Sequence, residues 1–213
     1  MGREVTDNGL ILRILPLGIY QVNSYLLICK DTKEAVLVDP GEAAAEILKA
    51  GAGFSIKFIL ITHGHFDHVQ ALSQVKKTLK VPVAAHPLDQ SRIPVPIDYP
   101  LAEGDNLSFG KLKGRVFHTP GHTPGSICLL VNKTLIAGDT LFPGGPGKTG
   151  SPDAFQQIVR GIEEKIYTLT DDTVVYPGHG QETTIGQSRK EYKVFCQKTH
   201  PKPVCGDVLW LSP

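Results

Sequence analysis

The sequence predicts an α/β protein, a four-layer αββα sandwich, with residues 1–213 as one domain. Three observations carry this expectation. Apolar strand-like runs fall into two β-rich halves, and each half is followed by segments of helical periodicity, so two sheets can pack together with helices outside. In both halves, strand ends run into His or Asp residues beside glycine, where open α/β sheets place their chemistry.

Leu10 to Leu15, Tyr25 to Cys29 and Ala35 to Asp39 read as consecutive strands, with Asp31-Thr32-Lys33 as a turn. After Asp39-Pro40-Gly41 a short helix is expected over Ala43 to Lys49, closed by Gly51. Lys57 to Thr62 reads as a fully buried strand, and Val69, Leu72, Val75 and Leu79 then mark an amphipathic helix. Val81 to Ala85 is another strand, and Arg92 to Pro100 a Pro-rich loop. In the second half, Leu112 to His118, Ile127 to Val131 and Leu135 to Ala137 read as strands, with Asn132-Lys133 as a hairpin turn. Pro143 to Gly150 is a glycine-rich loop. Ser151 then caps a helix with Pro152 in its first turn and Phe155, Ile158, Val159, Ile162 and Ile166 on one face. Thr173 to Tyr176 is a last strand, and Ser188 with Glu191 makes a capping box for a final helix.

The hydrophobic share of 41% and the charged share of 20% are those of a globular protein with a proper core. A net charge of +1 points to neither nucleic acid nor a membrane surface as partner. No apolar run has membrane-spanning length and no signal peptide opens the chain, so a cytoplasmic location is expected. Cys29 and Cys128 lie in apolar runs. They and Cys196 and Cys205 form no C-x-x-C pair, so reduced thiols in a reducing compartment are expected.

The chemistry concentrates in Thr62-His63-Gly64-His65-Phe66-Asp67-His68, a strand-to-helix turn carrying three imidazoles and a carboxylate. These are nitrogen and oxygen donors suited to zinc or iron. Three later positions repeat the strand-end setting: His122 in Thr119 to Gly125, Asp139 after Leu135-Ile136-Ala137-Gly138, and His179 after Val174 to Gly178. Five histidines and two aspartates exceed what one four-coordinate ion takes. They suit two ions about 3.5–4 Å apart that share a carboxylate.

With His122, Asp139 and His179 following in this order, the Thr62–His68 motif closely resembles the metallo-β-lactamase fold hydrolases. Within them the chain looks most like the glyoxalase II (hydroxyacylglutathione hydrolase) branch, through Thr119 to Gly125, Gly138-Asp139-Thr140-Leu141-Phe142 and Tyr176 to Gly180. The resemblance implies that His63, His65 and His122 hold one divalent metal, that Asp67, His68 and His179 hold a second, and that Asp139 bridges them. Zinc is the first expectation, with iron or manganese as alternatives. It implies thioester hydrolysis by a metal-bound hydroxide that Asp67 and Asp139 position, with a small-molecule thioester such as S-lactoylglutathione as substrate. Two departures stand out. The family carries a C-terminal helical domain where only a short stretch follows His179 here, so a short form is expected. Where the family's glycine-carboxylate site has Lys and then Tyr, this chain keeps Lys148 and has Gly150. Lys148 is either an anchor for an anionic substrate tail or a solvated loop lysine.

A thiol with pKa about 8.5 leaves as thiolate without a general acid, which favours a thioester over a β-lactam. Competing readings are a mono-iron persulfide dioxygenase using His63, His122 and Asp139, a lactonase, and a non-catalytic metal-binding protein. His86 is read as lying at a strand end near the site, with a structural hydrogen bond as the alternative, His118 and Asn23-Ser24 as structural, His200 as tail, and Trp210-Leu211 as cover for an apolar edge or, alternatively, a partner contact. The sequence sets no oligomeric state.

Overall fold

Two sheets, each apolar on both faces, account for most of the buried side chains. The structure is a computed structural model describing residues 2–200 and 204–211. In the first sheet β1 (Arg3–Asp7), β2 (Leu10–Leu17), β3 (Val22–Cys29), β4 (Glu34–Val38), β5 (Ser55–Leu60), β6 (Val83–Ala85) and β7 (Tyr99–Pro100) lie side by side in chain order. The pairs from β1 to β4 are antiparallel, and those from β4 to β7 parallel. Parallel pairs need crossovers. Helix α1 (Ala44–Gly51) links β4 to β5, and α2 (Phe66–Val69) with α3 (Leu72–Leu79) links β5 to β6.

The second sheet begins with β8 (Asn106–Phe109), β9 (Leu112–His118), β10 (Ile127–Val131) and β11 (Thr134–Gly138). A short ribbon of β12 (Leu141–Phe142) and β13 (Gly145–Pro146) follows, and then helix α4 (Pro152–Glu164). The chain re-enters the sheet as β14 (Val174–Pro177), parallel to β11, and ends it with β15 (Thr183–Thr184) before α5 (Ile185–Cys196).

Side-chain alternation builds the four layers. Leu12, Leu27, Val36 and Leu60 meet Phe109, Val116, Leu129 and Ile136 between the sheets. Leu26, Ile28, Leu37 and Ile59 face outward onto Ile47 of α1 and Leu72 and Val75 of α3. Cys128, Leu135 and Val175 face outward onto Ile158 and Ile162 of α4 and Ile185 of α5. A smaller cluster closes one end, where Trp210, fully buried, packs with Phe155, Tyr192 and Phe195. The apolar role read for Trp210 holds, while Leu211 beside it is exposed. All four cysteines are free; Cys29 and Cys128 are buried and Cys196 and Cys205 exposed. Burial pushes the Cys128 thiol up to about 11, as suits an inert apolar filler. Among the described residues no helix is long and apolar enough to cross a membrane.

Several expectations need correction. β5 starts at Ser55 and is buried only at Ile59 and Leu60, because Ser55 and Lys57 sit on its open half. The helix after the metal turn is broken into α2 and α3, and Ile166 opens a 3₁₀ turn after α4 rather than extending it. α5 begins earlier than the Ser188 box implies. Thr184 Oγ1 accepts from Gln187 N (3.1 Å), while Ser188 lies inside the helix and bonds the Tyr167 hydroxyl (2.8 Å). Thr184 is also the last residue of β15, so strand and cap share one residue. The edge strands β1 and β8 escape the pattern reading, since each has only one or two apolar residues and borrows its pairing from a longer neighbour. Thr184→Ala should cost about 1 kcal/mol by loss of the N-cap, read by urea unfolding.

Candidate metal centre

The predicted donors lie at one rim of the sandwich, on turns or, for Asp67 and His68, in the short helix α2, and hydrogen bonds within and between the sheets hold these segments together. His63 to His68 follow β5, His122 follows β9, Asp139 follows β11 and His179 follows β14. Ile127 N of the second sheet donates to Thr62 O of the first (2.9 Å), Asn23 N donates to Gly178 O (2.7 Å) and Gly178 N to Gly138 O (2.8 Å). Asn23 Nδ2 also donates to Pro177 O and Gly180 O, both at 3.0 Å, which gives the structural role read for Asn23 its content.

All seven donors converge. His63, His65 and His122 bring ring nitrogens within 4.8 Å of one another, and Asp67, His68 and His179 form a second such group. Asp139 stands between them, with Oδ1 3.4 Å from His68 Nε2 and Oδ2 3.4 Å from His122 Nε2. His179 Nε2 lies 3.2 Å from Asp67 Oδ2 and 3.4 Å from His68 Nε2. Two donors about 2.0–2.1 Å from a common tetrahedral cation lie about 3.3 Å apart, so these separations fit shared ligation. The buried His63 Nε2, His122 Nε2 and Asp139 Oδ1 have no hydrogen-bond partner, a costly arrangement for polar atoms that face one another without a cation. The residues present fit a pair of divalent ions.

The ring orientations fit as well. A ligating imidazole normally donates its other N–H to a protein acceptor. His63 Nδ1 pairs with Thr62 Oγ1 (3.2 Å), His68 Nδ1 with Asp39 Oδ2 (2.9 Å), His122 Nδ1 with Lys148 O (2.8 Å) and His179 Nδ1 with Tyr20 O (3.0 Å). In all four, Nε2 faces the cluster. Burial keeps the His63 imidazole neutral, well below its ordinary pKa. Burial opposes the charge on Asp139, yet the facing His68 ring and the neighbouring imidazoles hold its carboxyl far below the usual range. His68 is pushed the other way, to about 10, because the carboxylates of Asp139 and Asp39 facing its two nitrogens outweigh its burial. A proton there neutralises buried carboxylates, as a divalent cation would. Two glycines set the clearance. A Cβ at Gly178 would lie 2.1 Å from Asp139 Oδ1, and one at Gly147 within 1.8 Å of Asp139 O.

Two buried carboxylates that the sequence reading did not assign brace the centre. Asp39 Oδ1 accepts from Thr62 N (2.7 Å) and Oδ2 from Thr62 Oγ1 (2.5 Å), while Oδ2 also faces His68, so one side chain orients His68 directly and His63 through Thr62. Its signal was the Asp-Pro-Gly sequence at a strand end, read only as a helix approach. Asp89 Oδ2 accepts from Gly64 N and Thr123 Oγ1, both at 2.7 Å, and Oδ1 from Gly125 N (2.9 Å). It ties the His63–His65 turn to the His122 loop, and nothing in its local sequence marks it.

Lys148 lies beside the centre on the loop that holds His122, with its ammonium exposed and 3.4 Å from Asp207. His86 stacks on His118 with centroids 3.9 Å apart, and His118 bonds Pro124 O (2.9 Å), so His118 is structural as expected and His86 supports it. His200 stacks on Phe195 at 3.8 Å.

Two sheets with helices outside and a rim of histidines and aspartates define a class, the metal-dependent hydrolases of the αββα sandwich. Residues 17–179 match the metallo-beta-lactamase superfamily domain, and the chain belongs to that superfamily. Hydroxyacylglutathione hydrolase GloC of Haemophilus influenzae is 33% identical over 202 residues, covering 84% of this chain and 95% of that protein. The crystal structure of BLEG-1 B3 metallo-beta-lactamase matches with a TM-score of 0.75 at 34% identity, over 84% of this chain and 96% of that one. That of ETHE1 from Myxococcus xanthus matches with a TM-score of 0.76 at 25% identity, over 93% and 86%.

Asp39→Asn should retain the fold but lower metal affinity about 10- to 100-fold, measured by competition with a chromogenic chelator. Asp89→Ala strands three buried donors and should cost about 3 kcal/mol or more in urea unfolding.

Proposed function

We propose that this protein is a thioester hydrolase of the glyoxalase II kind, acting on a small-molecule thioester such as S-lactoylglutathione with two divalent cations, zinc first. The observation that carries the reading is the pair of three-donor groups meeting at Asp139. His63, His65 and His122 would hold one cation and Asp67, His68 and His179 the other, with Asp139 between them. Bound there, such ions supply Lewis acidity toward a carbonyl oxygen and make a shared water acidic near neutral pH.

The chain's own groups do the rest. Asp67 and Asp139 present carboxylate oxygens to the space between the groups, where they accept hydrogen bonds from an attacking water and fix its direction. The outward N–H bonds of His63, His68, His122 and His179 keep each ring from turning as charge develops. A pocket of about 270 Å³ opens beside His122 and Asp139, with Phe142 and Lys148 in its wall, and a second of about 410 Å³ opens beside His65, Phe66 and Arg92. Asp39 and Asp89 hold their oxygens against buried N–H and O–H donors and so offer a leaving group no proton. Such a site suits a leaving group that departs unprotonated, which a thiolate does and an amide nitrogen does not. This favours a thioester over the β-lactam that the BLEG-1 likeness would suggest. The ETHE1 likeness fits a second reading, a mono-iron persulfide dioxygenase using His63, His122 and Asp139.

Metal analysis should return two divalent ions per chain, and S-lactoylglutathione should release free thiol without oxygen uptake. Asp139→Ala should lose at least one ion and reduce turnover about 100-fold or more. Oxygen consumption with glutathione persulfide and no thiol release would transfer the protein to the dioxygenase reading. Full metal content with neither activity would leave a metal-binding protein.

A further inference from the structure

The C-terminal segment builds one wall of the pocket beside the centre. Its backbone is tied down on both sides of Asp207: Gly206 and Thr149 exchange two hydrogen bonds (2.9 and 3.2 Å), and Trp210 N donates to Gly144 O (2.7 Å). The buried Trp210 indole anchors the segment between α4 and α5. The segment therefore lies on the loop whose Lys148 carbonyl holds His122 and whose Gly147 abuts Asp139. Asp207, Val208 and Leu209 line the pocket of about 270 Å³ together with His122, Asp139 and Lys148. Lys148 is the only lysine or arginine among the described residues of that lining, and Asp207 already stands 3.4 Å from its ammonium.

We propose that Asp207 is a specificity-determining residue: by occupying Lys148 it lowers the pocket's affinity for a substrate half that carries a carboxylate, relative to an uncharged one. The inference rests on the thioesterase reading and deepens it. A carboxylate reaching Lys148 has to displace Asp207 or sit beside it, and like charges that close repel. The pair is solvent-exposed, with 68% and 75% of the two side chains accessible, so the penalty is modest, about three- to five-fold in affinity. The same exposure means that changing Asp207 leaves the anchors of the segment, Gly206 and Trp210, in place.

The test is calorimetric binding of two inert thioethers to the metal-loaded protein at low salt: S-methylglutathione, which carries carboxylates, and S-methyl-N-acetylcysteamine, which is uncharged. Asp207→Asn should bind the glutathione thioether about three- to five-fold more tightly and the uncharged one with unchanged affinity. In a Lys148→Gln background the same substitution should do nothing. An unchanged affinity for the charged thioether, an equal gain for both ligands, an equal gain without Lys148, or no binding of the glutathione thioether by any form overturns the proposal. Thiol release from the matching thioesters separates the two claims. Binding that responds to Asp207 without hydrolysis defeats only the thioesterase reading, and hydrolysis without that response defeats only the role of Asp207.

Discussion

The crowding of seven metal-type donors at one rim, where only a proton or a cation offsets their charge, is the constraint on which the rest of the structure depends. Imidazole nitrogens and carboxylate oxygens stand 3.2 to 3.9 Å apart, and the buried ones among them with no other partner are costly to hold without a cation. Holding them together takes a stiff frame, and the frame is the sandwich itself. Its strands are fixed by cores on both faces, and the donors ride on the turns just past the strand ends.

Stiff strands are not enough, because a turn can still swing. Asp39 and Asp89 close that freedom from two directions. Asp39 binds the end of β5 and points His68, while Asp89 staples the first donor turn to the loop of the second sheet. Both carboxylates are buried and surrounded by N–H and O–H donors, which compensates their desolvation. The backbone carbonyls of Tyr20 and Lys148 do the same for His179 and His122 with no side chain at all.

That division explains what could be read in the sequence. The seven donors were legible because each is a titratable residue at the end of an apolar run, and the sandwich because the long strands and α4 carry clear periodicity. Thr184 as the true cap of α5, the exposed first half of β5 and the edge strands β1 and β8 were not: β1 and β8 carry too few apolar residues to show a period, β5 is half exposed, and Thr184 closes a two-residue strand with no apolar run. Asp89 is the clearest case. It lies 25 residues from Gly64 and 36 from Gly125, in a 3₁₀ turn with no periodicity, and only folding shows what it joins. Lys148 was noticed through its motif, whereas its pairing with Asp207 crosses the whole of α4 and α5.

Donor-bearing turns at a single rim, with none contributed from between the sheets, leave two parts of the chain nearly independent in their tolerance of change. A changed apolar side chain at Leu129 or Val36 is felt as melting temperature, while a changed side chain at Lys148, Asp207 or Leu209 is felt as a different molecule accepted at the rim. Variation in what is accepted can therefore accumulate without drawing down the stability that keeps the donors crowded together.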